Sequence, residues 1–118
     1  VIVLNLPLPR RLSQMAYAFV HDVPADEQMY HEIRRRLGDE TPEGLIAHVV
    51  IKRDDGLRYV DVWETEADWE RFRAERAEPT VDAILGELGI PHDHSLVSFE
   101  EVEVIDTWLG DRPAVGAA

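Results

Sequence analysis

An α+β fold with the element order β-α-β-β-α-β is what this sequence predicts, and three observations carry it. Two stretches repeat apolar residues at helical spacing, and four others are short and rich in β-branched and aromatic residues. Asp55-Gly56 joins two of the latter as a hairpin. At 118 residues the chain is one domain, which buries roughly two-thirds of its unfolded-chain surface.

The first strand is "AYAFVHDV" (16–23), closed by Pro24. Asp26 and Glu27 open the first helix, where negative charge suits the N-terminal dipole, and Met29, Ile33 and Leu37 form its buried stripe. Arg34, Arg35 and Arg36 suit its C-terminus, and Gly38 ends it. "GLIAHVVIK" (44–52) and "LRYVDVWE" (57–64) are the second and third strands. Thr65 and Asp68 make a capping box with Asp in place of the usual Glu. Trp69, Phe72, Val81, Ile84, Leu85 and Leu88 supply the apolar face of the second helix, which Pro79 must kink or divide. Gly89-Ile90-Pro91 stops it, and "FEEVEVIDTWL" (99–109) is the fourth strand. The domain proper occupies 15–109. Residues 1–14 read as an N-terminal extension, an extra edge strand, and 110–118 as a tail. This order is the ferredoxin-like split βαβ, a four-stranded antiparallel sheet with two helices.

Composition narrows the function classes. Hydrophobic residues make up 45% and charged residues 31% of the chain, and no apolar run approaches the ~20 residues of a membrane span, so no membrane partner is expected. There is no cysteine, which removes disulfides, thiolate metal sites and cysteine nucleophiles and suits a cytoplasmic location. A net charge of −12 repels phosphate backbones, and Arg34–Arg36 is the one basic cluster, so nucleic acid is not an expected partner. In residues 1–14 the apolar run precedes the arginines, the reverse of a secretory signal.

A two-residue turn at Asp55-Gly56 sets Lys52 opposite Tyr59, Val50 opposite Asp61 and His48 opposite Trp63. Leu45, Ala47, Val49, Ile51, Val60 and Val62 then share one small, apolar face with Ala16, Ala18 and Val20, and the helices are expected there. The other face carries Ile46, His48, Val50, Tyr59, Asp61 and Trp63, with Tyr17, Phe19 and His21 from the first strand. So large an apolar patch needs a cover, and a second copy in a C2 homodimer is the economical one. The space left between sheet and partner would hold an apolar or aromatic small-molecule ligand.

The segment "VDVWETEADWERF" (60–72) resembles the strand-to-helix passage of the dimeric α/β-barrel superfamily, whose best-known members are the antibiotic-biosynthesis monooxygenases. Asp61, Trp63, Glu64 and Thr65 carry the likeness, and the element order extends it over roughly residues 15–109. The resemblance implies a homodimer and cofactor-independent oxidation of an aromatic or polyketide-like compound. Where that branch places an Asn four residues before the Trp, this chain has Tyr59. The haem-degrading branch ligates iron with a His about three turns after the Trp. Here that stretch holds Arg73 and no His, so no haem, and no other cofactor, is expected.

Cofactor-free oxygenation needs a base that makes an electron-rich anion in a dry cavity. His48 and His21 are the candidate bases, and Asp61 would orient a histidine or bind a polar substrate group. Trp63, Tyr59, Tyr17 and Phe19 would line the ligand pocket. Each has a plainer alternative: a satisfied histidine at a seam, a structural acceptor, or core packing. His92 and His94 flank Asp93 without a third ligand, so no metal is expected. His31, Arg73 and Arg76 read as surface groups. The function expected is that of a small monooxygenase-like enzyme, with an isomerase using the same base as a lesser possibility. The alternative is a non-catalytic small-molecule-binding or structural homodimer.

Overall fold

The computed structural model describes residues 16–110. They form β1 (Tyr17–Val23), α1 (Glu27–Leu37), β2 (Leu45–Arg53), β3 (Gly56–Trp63), α2 (Glu66–Phe72), a π-helical turn (Arg73–Ala77), α3 (Glu78–Leu88), a 3-10 turn (His94–Leu96) and β4 (Ser98–Val102). The strands pair antiparallel in one open sheet, in the order β2-β3-β1-β4. This α+β arrangement is compatible with the ferredoxin-like fold that the element order predicts. The expected extension over 1–14, a domain start at Met15 and the tail beyond 110 lie outside the described residues. Among the described residues no helix is long and apolar enough to cross a membrane.

Local chemistry sets the element ends. Asp26 caps α1 by accepting the Met29 N–H at 2.8 Å, and Thr65 caps α2 by accepting the Asp68 N–H at 3.1 Å. Gly89 ends α3 in the left-handed conformation. Pro79 has no N–H to donate, and its ring crowds the carbonyl of the preceding turn. The chain passes it through the π-helical turn, in which the Glu78 N–H donates to the Arg73 carbonyl five residues back. The second helix therefore widens ahead of Pro79, and α3 follows the π turn directly.

The hairpin register differs from expectation by two residues. Lys52 pairs with Leu57, Val50 with Tyr59 and His48 with Asp61, so the turn is Asp54-Asp55. Neither aspartate has a positive φ, and the special conformation falls to Gly56 at φ 154°. A Cβ there would stand 2.0 Å from the Val23 carbonyl oxygen, so the strand can pass the end of β1 only as glycine. Because the shift is even, no residue of β3 changes face. A bulge between Leu45 and Ala47 does move Leu45, which pairs with Trp63 and packs on the aromatic cluster instead of the aliphatic face.

The largest correction concerns which face the helices cover. Phe19 and Trp63 are each 1% exposed and form the core with Trp69 of α2; Tyr17, Leu45 and Phe72 pack around them. The aromatic face is thus roofed by the chain's own helices. The open face is the aliphatic one, where Val49 is 50% and Ile51 44% exposed. Both faces are apolar, so alternation sorts residues between them without saying which one the helices take. Helices carrying Trp69, Phe72 and Tyr30 fill space against large rings, whereas a layer of small aliphatic side chains is flat. The fourth strand is also shorter than expected: it ends at Val102, and residues 103–110 leave the sheet.

Candidate functional site

Cross-strand pairing sets His48 of the edge strand β2 beside Asp61 of β3, both on the helix-covered face. The His48 Nδ1 lies 2.6 Å from Asp61 Oδ1. Two residues along β3, and therefore on the same face, the Trp63 indole donates Nε1–H to Asp61 Oδ2 at 3.1 Å. Both oxygens of a buried carboxylate are thus held by N–H groups, the condition for burying that charge without a large penalty. On its other side His48 Nε2 lies 2.9 Å from the Tyr30 hydroxyl. The Tyr30 ring stacks near His48 with centroids 6.1 Å apart, and Tyr59 stands 5.8 Å from Tyr30 and 5.6 Å from His48.

The result is a relay, Trp63–Asp61–His48–Tyr30, that runs from the core to α1. A carboxylate accepts and cannot donate, so it fixes the His48 proton on Nδ1 and leaves Nε2 of the neutral ring as an acceptor for the Tyr30 O–H. An imidazole held in that tautomer can take a proton at Nε2, and the carboxylate then stabilises the imidazolium. Tyr30 was not among the residues singled out from sequence. Its signal is its place on the stripe Tyr30, Ile33, Leu37, which turns it toward the sheet beside the Met29 stripe.

His21 lies apart from this relay. It pairs with Tyr59 and Phe99 across β1's two neighbours, and its ring meets theirs edge-on at 5.8 and 5.4 Å. Burial pushes its pKa below the usual histidine value, against the smaller opposing pull of the Asp61 and Asp22 charges. Burial raises the Tyr59 phenol, with Tyr30 and Asp61 adding to the effect. The Tyr17 phenol is raised by burial and by its 2.8 Å hydrogen bond to Glu101.

Of the expected pocket walls, Trp63 packs on Trp69 and Phe72, at 5.6 and 5.5 Å between centroids, and Phe19 packs between Trp69 and Phe99, both at 4.6 Å. Two surface grooves lie elsewhere. One of about 340 Å³ is bounded by Leu37, Arg76 and Pro79, and one of about 240 Å³ by Asp26, Lys52 and Asp55. His31 is exposed beside Glu27, and Arg73 pairs with Glu70 and Glu78. Among the described residues Arg76 joins no ion pair. It donates to the carbonyl of Leu37, the last residue of α1, and to that of Glu40 in the loop after it, with its guanidinium 5.2 Å from the Phe72 ring centre. His92 Nδ1 lies 3.3 Å from an Asp82 oxygen, and the His94 side chain lies outside the description.

No family model and no curated protein matches the chain. Among solved structures it is similar to the crystal structure of NE2512, a protein of unknown function from Nitrosomonas europaea. The TM-score is 0.54 and the identity 14%, over 84% of this chain and 99% of that one. At that identity the likeness is one of fold.

Proposed function

We propose that the chain is a small dimeric α/β-barrel protein of monooxygenase-like character, in which His48 is the base that deprotonates an acidic aromatic or polyketide-like compound. The observation that carries this reading is His48 held between Asp61 and Tyr30, at 2.6 and 2.9 Å. In the reaction, a substrate hydroxyl replaces the Tyr30 phenol at Nε2 and gives up its proton there. Asp61 takes no proton; it keeps the tautomer and balances the imidazolium. The electron-rich anion supplies all four electrons to O2: a ring C–H bond breaks, one oxygen atom becomes a quinone carbonyl at that carbon, and the other leaves as water with the C–H hydrogen and the proton that His48 took. Tyr59 lies beside the seat that the substrate would take, and His21 is a second base on the neighbouring strand. Trp63, Phe19 and Tyr17 shape the floor of the site rather than its mouth. No cofactor is needed for this chemistry. Tyr30 can leave its seat because no residue of α1 is fully buried.

The dimer forms through the aliphatic sheet face, where Val49 and Ile51 are about half exposed. A second reading is favoured by the near-complete burial of Phe19 and Trp63 and by both grooves lying away from His48. In it the relay is a structural clamp, and the chain is a non-catalytic small-molecule-binding or structural homodimer. Oxygen uptake by the purified protein on a panel of quinols separates the two. Uptake that is lost in His48→Ala supports the enzyme. Binding without uptake supports the second reading, and rearrangement of a substrate without oxygen makes the same base that of an isomerase.

A further inference from the structure

We infer that residues 103–109 form an arm that clasps a second copy of this chain, so that the dimer is held by the open sheet face and two exchanged arms together. This rests on the dimer reading above and adds the residues that make it hold. β4 ends at Val102, and the chain then leaves the sheet with Ile105 83%, Trp108 92% and Leu109 57% exposed. A lone apolar side chain at the surface is ordinary. A Trp with an Ile and a Leu inside five residues, following an edge strand of a sheet that exposes Val49, Ile51 and Val102, makes an exposed apolar patch among the described residues.

Dimensions argue for the second copy as the occupant. Four strands about 4.8 Å apart, with three same-face rows about 6.8 Å apart, present about 400 Å². A stable interface buries about 800 Å² on each partner, so the sheet face alone supplies half. One buried Trp contributes roughly 150–250 Å², and Ile105, Leu109 and the chain between them furnish most of the remainder. Seven extended residues reach about 23 Å, more than the sheet's width of about 19 Å. An arm leaving edge strand β4 can therefore cross the opposing sheet, and a two-fold axis gives each protomer one arm and one receiving surface.

The test is sedimentation of the full chain beside its Ile105→Ser/Trp108→Ser variant, with Trp108 emission taken as the difference between the full chain and Trp108→Phe. Both altered side chains are largely exposed in the protomer, so the fold is retained, which far-UV circular dichroism checks. The expected result is a dimer whose Trp108 emits as a buried indole and whose dissociation constant rises roughly 30-fold or more in the double variant. A dimer indifferent to the double variant, or one whose Trp108 emits as a hydrated indole, overturns the arm and leaves the dimer standing. A monomer at all concentrations overturns both, and a monomer with a buried Trp108 places the arm on its own sheet instead.

Discussion

Replacing Asp61 by Asn and by Ala separates what its charge does from what its oxygens do. Asp61→Ala strands the Trp63 indole N–H, which lies in a side chain only 1% exposed, and leaves His48 Nδ1 without its acceptor. One buried, unpaired donor costs about 1–3 kcal/mol, and the half-buried His48 adds a smaller amount because water can reach it. The expected loss is about 2–4 kcal/mol, which at a urea slope of about 1.5–2 kcal/mol/M lowers the midpoint by more than about 1 M. Asp61→Asn keeps an acceptor for the indole and turns its amide N–H to His48 Nδ1. The bond count is preserved if His48 carries its proton on Nε2, which then donates to the Tyr30 oxygen. Stability therefore falls by about 1 kcal/mol or less, while the nitrogen that would act as base is now protonated. The loss of turnover expected for the wrong tautomer is on the order of 10³–10⁴-fold. Urea unfolding at one fixed protein concentration reads the first quantity, and long-range ¹⁵N correlation spectra of the imidazole read the tautomer. An Asn variant as unstable as the Ala variant, or one whose His48 keeps its proton on Nδ1, refutes the reasoning.

Gly56→Ala should lose at least about 2 kcal/mol, since its Cβ would lie 2.0 Å from backbone and φ is 154°; thermal unfolding measures it. The depressed pKa of His21 means that the folded chain prefers the neutral ring, so its contribution to stability is present above the unfolded value of 6.5. It is lost as pH falls from there through the folded value. The stability difference between about pH 8 and about pH 5 should shrink in His21→Gln, and an unchanged difference counts against the burial argument. Tyr30→Phe keeps the ring stacking and frees His48 Nε2. It should cost about 1 kcal/mol or less and leave or raise oxygen uptake if Tyr30 only occupies the substrate's seat; loss of uptake would make Tyr30 part of the chemistry.

Element order was legible in the sequence because each boundary has a local cause: Asp26 and Thr65 as caps, Gly38 and Gly89 as stops, and a hairpin between two short β-branched runs. The hairpin register was less so. Asp55-Gly56 is the stronger turn signal on its own, but Gly56 is required by the passing carbonyl of Val23, a contact between strands far apart in the chain. The even shift spared the face assignments on β3, and the bulge at Leu45 spoiled one on β2. His48, Asp61 and Trp63 were found as neighbours, although their partners were permuted: His48 meets Asp61 and not Trp63. Tyr30 was missed because its role depends on which face α1 covers, and that choice is tertiary.

The spacing that prompted the resemblance has a packing explanation of its own. Residues two apart on a strand share a face, so an Asp followed at that interval by a Trp can accept the indole N–H and be buried with it. That arrangement needs no ligand, and it explains why the pair sits under α2, with Trp69 and Phe72 closing over the indole. What packing does not require is a titratable partner on the other carboxylate oxygen. An amide or hydroxyl opposite Asp61 would satisfy the same oxygen without presenting a second ring nitrogen that can accept a proton. Nor does packing require the Tyr30 hydroxyl on Nε2, since a phenylalanine would stack there equally well. The case for chemistry thus rests on His48 and Tyr30, at the rim of the relay, and the Asp61–Trp63 pair beneath them is the support that fixes the imidazole's orientation.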